Sequence, residues 1–453
     1  MSFRDNLVKA RSHIVFIVAL ICGLFAVTAL EKRAQAAATD SQGSDLATAQ
    51  SVSPLFGLPM AYQQLEPVTL RPTGSLSEQE YEYARTAWTY FENNTNPSTG
   101  LANSVDGYPS TTMWETGSYF VAVISASLLD LIEQQEAETR LRAAIQTLAT
   151  IRLFDDILPN KAYNARTGEL VDYSNQPVER GLGWSALDIA RMVAALNYAE
   201  NHFPGLSPDI AAVFQHWSLD DMVAAGELVG GNLIEGQLRR DQEGRVGYGQ
   251  YAAKAMMLMG FDVYNAYHAE ANLMVRYVDD NPIAVDRRLH RNVTPAFAVS
   301  EPYLFDGLEF GLDSRSHLFA TGIYQAQEDR WEATQQLTAV SESHIDEAPY
   351  FVYSTVWGGG ADWAVMTFAG DRADSKRTVT VKTAFAWDAL FGTDYTVLLV
   401  DALAEIADPE RGWPEGIYEI DGTTNGSTTA NTNATVLASL AYRVNGPIRS
   451  PSR

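Results

Sequence analysis

The chain has 453 residues, of which 46% are hydrophobic and 19% are charged, so it is globular and can bury a large core. Its formal net charge of -24 disfavours binding to nucleic acid or to anionic membrane. The single cysteine, Cys22, lies in the N-terminal leader. The rest of the chain can therefore form neither a structural disulfide nor a thiolate metal site.

The first 36 residues have the pattern of a targeting segment. Basic residues precede an apolar run at residues 14–30, and an Ala34-Gln35-Ala36 motif follows it. This order predicts either a signal peptide cleaved after Ala36 or an uncleaved segment that attaches the protein to the inner membrane. In both cases we expect the body to be periplasmic or extracellular. Residues 37–75, rich in Ala, Ser, Gln and Pro, are predicted to be a linker.

Helical periodicity predicts about a dozen helices between residues 76 and 446. The central one begins at Thr112, where Thr112 and Glu115 have the spacing of a capping box, and it is apolar on nearly all sides. The same design recurs at Ser185 and Asp188. Further helices are predicted at 76–91, 136–151, 207–217, 247–259, 262–275, 315–340, 384–406 and 429–442, with short strands at 351–356 and 378–381.

Small-residue apolar helices alternate with amphipathic helices along the chain. This alternation predicts an all-α fold, an (α/α)6 toroid of helical hairpins with a few short strands in loops, at residues 76–446. Residues 447–453 are predicted to be a tail. In such a ring the inner helices run parallel, so their N-termini share one mouth.

Five motifs are long enough to be specific: TTMWETGSY, GLGWSALDIARM, VGYGQYAAK, TAVSESHIDEAPYF and KTAFAWDALFGTDYT. On these motifs the chain resembles the bacterial domain-of-unknown-function family 3131, from about Leu76 to Tyr442. The resemblance implies an exported or membrane-linked protein, a glucoamylase-like toroid and a carbohydrate setting. It implies no catalytic residues, so those must be argued from chemistry.

Carboxylic acids at the proposed mouth are the first candidates for catalysis. Glycoside hydrolysis usually needs two carboxyl groups, one on each side of the scissile bond. Glu115 and Asp188 stand at helix starts that should face the mouth. The alternative is that both only cap their helices.

A second acidic cluster lies in residues 300–311, which we expect to form a loop. Glu301, Asp306 and Glu309 sit there among aromatic and glycine residues, a setting that can raise the pKa of a carboxyl group. We predict that one of the three faces Glu115 across a cleft. The alternative is a turn with ordinary solvated carboxylates.

Glu342, His344 and Asp346 form a third cluster. Three such side chains this close together more often cap a turn than bind a metal, so we expect no metal here and no cofactor. Aromatic side chains beside the same junctions are candidates to stack on sugar rings, although core packing explains any one of them better. These are Trp114, Trp184, Tyr248, Tyr303, Trp387 and Trp413.

The sequence therefore predicts an exported glycoside hydrolase or transglycosylase that acts on an oligo- or polysaccharide. The strongly negative body favours a largely neutral, β-glucan-like glycan. One alternative is a non-catalytic protein that binds glycans or assembles an envelope polysaccharide. A polysaccharide lyase is disfavoured because lyases need basic groups around an anionic substrate, and the chain has only seven histidines.

Overall fold

The computed structural model of the protein describes residues 58–290 and 295–450. Helices account for 45% of the structure and strands for 19%. The prediction of an all-α fold therefore needs correction. The strands arise because several connections between helices form antiparallel β-hairpins. The helices are α1 (Met60–Gln63), α2 (Glu78–Asn94), α3 (Met113–Leu128), α4 (Gln134–Leu148), α5 (Ala186–His202), α6 (Ser207–His216), α7 (Tyr248–Leu258), α8 (Tyr264–His268), α9 (Glu301–Phe305), α10 (Ser314–Thr334), α11 (Val381–Leu390), α12 (Asp394–Leu403) and α13 (Ala430–Asn445).

The apolar helices form a closed cycle of contacts. Helix α3 packs on α5, α5 on α7, α7 on α9, α9 on α11, α11 on α13, and α13 packs back on α3. Helices α2, α4, α8, α10 and α12 each pack against a member of this cycle, and α6 packs on α4 and α5. This is the set of contacts that an α/α toroid requires.

Small residues allow the inner helices to approach closely. A Cβ atom added at Gly117 on α3 would lie 3.2 Å from the Cγ atom of Arg191 on α5. Fourteen of the sixteen residues of α3 are buried, as its apolar sequence predicts. The Thr112 hydroxyl accepts a hydrogen bond from the backbone N–H of Glu115 at 3.2 Å and so defines the start of α3.

The strands form small antiparallel sheets between the helices. Two of these sheets contribute residues to the site described below. One joins residues 342–344, 351–354 and 365–366, and the other joins residues 378–380, 414–418 and 424–428. The strands are β1 (Ser110–Thr111), β2 (Tyr163–Asn164), β3 (Val223–Ala224), β4 (Glu227–Ile234), β5 (Gln237–Gln242), β6 (Leu273–Val278), β7 (Asn281–Asp286), β8 (Glu342–His344), β9 (Phe351–Ser354), β10 (Trp357–Gly358), β11 (Ala361–Asp362), β12 (Val365–Met366), β13 (Thr378–Thr380), β14 (Pro414–Tyr418) and β15 (Thr424–Thr428).

Two predicted elements are wrong. Residues 300–311 form a buried helix rather than a loop, because α9 continues into a π-helical turn at Asp306–Phe310. The helix predicted at residues 262–275 ends after α8, where Ala269 adopts a left-handed conformation, and the chain then enters β6.

The chain packs on the body beyond both ends predicted for the toroid. Tyr62, in the predicted linker, is buried and its hydroxyl donates to the Pro282 carbonyl at 2.9 Å. In the predicted tail, Ile448 is buried and its N–H donates to the Leu308 carbonyl at 3.0 Å. The targeting segment at 1–36 and the linker as far as residue 57 lie outside the described residues.

Within the described ranges no helix combines the length and apolarity needed to cross a bilayer. The predicted membrane-attachment segment at 14–30 lies outside these ranges.

Candidate active site

The starts of several inner helices converge on a buried polar cluster. Glu301 is the first residue of α9, Lys382 lies in the first turn of α11 and Asn431 in that of α13. The Lys382 ammonium forms an ion pair with one carboxylate oxygen of Glu301, and the Asn431 amide donates to the other at 3.1 Å. All three side chains are buried. We call this cluster, together with Glu115 and Glu415, the floor of the site.

Glu115 enters the floor from the first turn of α3. It is 7% exposed, and its Oε2 atom has no hydrogen-bond partner among the described residues. Burial, and then the charge of Glu301, raise the pKa of the Glu115 carboxyl to about 8, while Lys382 opposes the shift. Glu115 is therefore protonated at neutral pH. Glu301 is also the member of segment 300–311 whose charge acts most strongly on Glu115.

Glu415 on strand β14 is a further carboxyl in the floor, which the sequence analysis missed. The hydroxyls of Thr429 and Thr432 donate to its Oε1 atom at 2.8 and 2.6 Å. Burial raises the pKa of the Glu415 carboxyl, and Lys382 opposes that shift. The floor thus gathers three carboxyl groups around one buried lysine.

Asp188 lies in the first turn of α5. The Ser185 hydroxyl accepts from the Asp188 N–H at 3.2 Å, while Glu243 accepts from the Ala186 N–H at 2.7 Å. Glu243 therefore supplies the carboxylate that caps α5. Burial, followed by the charge of Glu243, raises the pKa of the half-buried Asp188 to about 7.

Glu342 projects from strand β8. It is half-buried and stands directly opposite Tyr353 on strand β9. Burial, and then the charge of Glu301, raise the pKa of Glu342 to about 8, against the influence of Lys382. Burial and the charge of Lys382 lower the pKa of the neighbouring His344 to about 4, so its imidazole is neutral at pH 7.

Asp188 and Glu342 lie within electrostatic reach of each other, since the charge of Asp188 helps to raise the pKa of Glu342. The pKa of Tyr353 is raised by burial and by the charges of Glu342, Tyr173 and Asp188, so Tyr353 lies within electrostatic reach of all three. Tyr173 is 43% exposed, yet the pKa of its phenol is raised by loss of solvation and by Asp188 and Glu243. We call the region around Asp188, Glu342, Tyr353 and Tyr173 the proposed cleft.

Asp306 and Glu309 do not take part in this cleft. Asp306 is bound by the Lys254 ammonium at 2.7 Å, and the same ammonium binds Asp313 at 2.6 Å. Glu309 pairs with the buried guanidinium of Arg191 at 2.8 Å. Both carboxylates are buried on the π-helical turn, so their role here is to pair with these cations inside the toroid.

Most of the predicted sugar-stacking aromatics belong to the core. Trp184, Trp387 and Trp413 have no exposed surface and Tyr303 has 4%, so none of them presents a ring face to a ligand. Trp114 and Tyr248 lie at the starts of α3 and α7, with ring centroids 5.6 Å apart. Trp114 is 9% exposed and Tyr248 is half-buried, so of the six predicted rings Tyr248 is the most open.

The third acidic cluster is dispersed. Asp346 accepts from the Tyr418 hydroxyl at 2.6 Å and from the Gly426 N–H at 2.9 Å, whereas Glu342 faces the cleft. In the described part of the chain, no group of three or more His, Cys, Asp or Glu residues could hold a metal ion.

A cavity of about 440 Å³ lies at the opposite end of the toroid. Its lining includes Leu128 at the end of α3, His202 at the end of α5 and Asn445 at the end of α13. The carboxyls of Glu115 and Asp188 stand at the N-termini of α3 and α5. We therefore place the site at the end of the toroid where the inner helices begin.

Sequence comparison assigns the chain to a family. A family model described as "Protein of unknown function (DUF3131)" matches residues 82–446. The chain belongs to the DUF3131 family. No curated protein matches this DUF3131 chain in sequence.

Solved structures show the same fold. A candidate glucoamylase from Bacteroides caccae has 11% identity and a TM-score of 0.59, over 82% of the DUF3131 chain and 94% of its own. An endo-β-1,2-glucanase from Chitinophaga pinensis, complexed with sophorotriose and glucose, has 11% identity and a TM-score of 0.59 over 83% and 94%. A variant endo-β-1,2-glucanase from Talaromyces funiculosus, complexed with β-1,2-glucan, has 12% identity and a TM-score of 0.53 over 82% and 85%. At these identities the likeness concerns the fold, since unrelated activities can share one fold.

Proposed function

We propose that the protein is an exported glycoside hydrolase or transglycosylase that acts on a largely neutral, β-glucan-like glycan. The observation that carries the proposal is the grouping of Asp188 and Glu342, two half-buried carboxyls from separate elements that have raised pKa values and lie within electrostatic reach of each other. Glycoside hydrolysis needs such a pair. The β-1,2-glucanases of similar fold support the substrate class by analogy.

The two carboxyls take different roles in this proposal. Glu342, with its pKa raised to about 8, keeps its proton at neutral pH and donates it to the glycosidic oxygen as the bond breaks. Asp188, in its ionised form, is the base that activates water or the nucleophile that attacks the sugar. Glu115 lies in the floor and, being protonated, can donate a hydrogen bond to a bound hydroxyl.

Removal of either carboxyl tests the assignment. Reducing ends released from soluble β-1,2-, β-1,3- and β-1,4-glucans should fall about 10²–10⁴-fold in Glu342→Gln and Asp188→Asn, because neither amide transfers a proton. Glu309→Gln is not a suitable control since it breaks a buried ion pair, whereas the exposed Glu92→Gln should keep full activity. Near wild-type turnover in both cleft variants would refute the assignment.

A non-catalytic glycan-binding protein is the second candidate. The exposed ring of Tyr173 beside Asp188 favours it, because a ring open to a cleft suits binding whether or not a bond is cut. This role predicts that the wild type binds a glucan in the panel and releases no reducing ends from it.

We also propose that the toroid has the (α/α)6 arrangement and that residues 1–36 direct export. Alternation of inner and outer helices supports the first proposal, and the basic-then-apolar order of the leader supports the second. Fractionation of cells that express the full chain tests export, which recovery in the cytoplasm would contradict.

A further inference from the structure

Strands β8 and β9 present one face to the cleft and the other to a small core. Ser343, Ile345 and Val352 are buried on the core side, at 1%, 1% and 0% exposed. The residues that alternate with them are half-buried, and cross-strand pairing places Glu342 opposite Tyr353 and His344 opposite Phe351. The proposed acid, Glu342, therefore shares its face of the sheet with aromatic rings.

These rings belong to a continuous series. The Tyr353 centroid is 4.8 Å from that of Phe297 and 5.2 Å from that of Phe351. Phe297 in turn contacts His290 at 4.5 Å, and Phe351 contacts His344 at 5.1 Å. Tyr353, opposite Glu342, is thus the middle member of a row of five rings that extends to both sides.

The row keeps accessible surface, unlike the rings of the core. All five side chains are half-buried, whereas Trp184, Trp387 and Trp413 are fully buried. The row also carries no charge at neutral pH, since burial lowers the pKa of both His290 and His344 to about 4. A partly open, uncharged aromatic surface suits the apolar faces of neutral sugar rings.

We propose that the row of His290, Phe297, Tyr353, Phe351 and His344 is a binding track for consecutive sugars of a polymeric neutral glucan. The proposal rests on the function proposed above, in that Glu342 lies beside the middle of the track. A chain bound along both halves places an internal linkage, rather than a chain end, at Glu342. The substrate class is therefore a long glucan that is cut internally.

Substitution of the outer phenylalanines tests the track. Phe297→Leu and Phe351→Leu keep apolar volume for packing but remove the ring face. We expect each to weaken binding of polymeric β-1,2-glucan, measured by affinity electrophoresis, by about tenfold, which corresponds to about 1.4 kcal/mol, because the stacked ring face is lost. Binding of the β-1,2-linked trisaccharide should change less than about threefold, since a short ligand spans only the middle of the row.

Tyr277→Leu is the matched control, because Tyr277 lies on strand β6, 58% exposed and outside the row. It should bind polymer as the wild type does, and thermal melts of all three variants should show that they are folded. The track is refuted if the phenylalanine variants bind polymer like the wild type, if Tyr277→Leu loses as much affinity, or if the wild type binds no polymer.

Failure of the track is distinguishable from failure of the catalytic assignment. Glu342→Gln leaves every ring in place, so it should bind polymer normally while cleaving it slowly. Turnover in Glu342→Gln and Asp188→Asn at the wild-type rate refutes the carboxyl roles and leaves the binding result intact. Normal polymer binding in the phenylalanine variants, with inactive carboxyl variants, refutes the track alone.

Discussion

At the scale of single residues, the floor concentrates carboxyl groups that burial makes hard to ionise. Glu115, Glu301 and Glu415 share one lysine, Lys382, whose own pKa is raised chiefly by the charge of Glu301 against the effect of burial. Ionisation of a carboxyl in this buried cluster is unfavourable, because the carboxylate is poorly solvated and is repelled by the neighbouring carboxylates. The protonated form of Glu115 is therefore part of the native state at neutral pH.

This proton makes stability depend on pH. The Glu115 carboxyl has an ordinary pKa of 4.5 and a folded-state pKa of about 8, so between these values the folded protein holds a proton that the unfolded chain releases. The free energy of unfolding consequently falls as pH rises through this window, by at most about 1.4 kcal/mol per pH unit for one group. Glu115→Gln carries no such proton and should melt higher than the wild type at pH 8.

Thermal melts from pH 4 to 9 measure the effect. The two proteins should differ least at pH 4, below the ordinary pKa of 4.5, where the wild-type carboxyl is protonated in the folded state and mostly protonated in the unfolded chain. The exposed Glu92→Gln should leave the pH slope as it is. A difference between Glu115→Gln and the wild type that is constant across pH would contradict the assignment.

At the scale of elements, the start of α5 shows how one carboxylate serves structure and chemistry together. Glu243, from the segment after β5, accepts from the Ala186 N–H and also approaches the Ser185 hydroxyl at 2.8 Å. It thereby caps α5, and its negative charge helps to raise the pKa of Asp188. Two substitutions separate these effects.

Glu243→Ala removes both the cap and the charge, and should destabilise the protein by about 0.5–2 kcal/mol in denaturant melts. Glu243→Gln keeps an acceptor for the helix start and should lose much less stability. In both variants Asp188 no longer faces the negative charge, so its pKa should fall and the acidic limb of the pH–rate profile should move to lower pH. An acidic limb that stays in place in both variants would show that Glu243 does not set the ionisation of Asp188.

Much of the element order was predictable because local sequence determines it. The small-residue runs and the Thr112 and Ser185 caps predicted α3 and α5 with their starts correct. Residues 300–311 were misread because Pro302 and the glycines suggest a loop. The helix forms there because tertiary packing overrides that preference: a Cβ at Gly307 would come within 2.7 Å of Leu390.

The candidate site was less predictable because distant segments assemble it. Glu115 and Asp188 were identified from helix starts, but Glu342 was identified only as part of a local acidic cluster, and Glu415 lay in no pattern at all. Nothing local in the sequence shows that strand β8 brings Glu342 within electrostatic reach of Asp188. Likewise, the tryptophans were chosen for their chemistry, and only the fold shows that Trp184, Trp387 and Trp413 are enclosed.

At the scale of the whole molecule, residues 58–75, which precede α2, form a segment that we call the strap. The segment at 58–75 crosses the body, where Tyr62 contacts Phe319 edge-on at 4.9 Å and Arg71 pairs with Asp388 at 2.7 Å. A chain that begins at Ser53 retains the strap, whereas one that begins at Leu76 lacks it.

We expect the chain from Leu76 to be less stable than the chain from Ser53 by at least about 3–5 kcal/mol, the usual cost of deleting one buried aromatic side chain. Urea melts of the two proteins measure the difference, and Tyr62→Ala in the longer chain should reproduce a large part of it. Equal stability of the two chains would show that residues 58–75 are a linker, as their composition suggests.

The contact between α3 and α13 also has a consequence for how the protein is made. These neighbours in space are separated by most of the chain, so the seam between them stays open during synthesis until α13 has left the ribosome or, in an exported chain, the translocation channel. Contacts between such remote segments are slow to form because a long loop must close first. Since Asn431 reaches Glu301 only after α13 docks, the floor is among the last parts of the molecule to assemble, and a nascent chain carries no complete site.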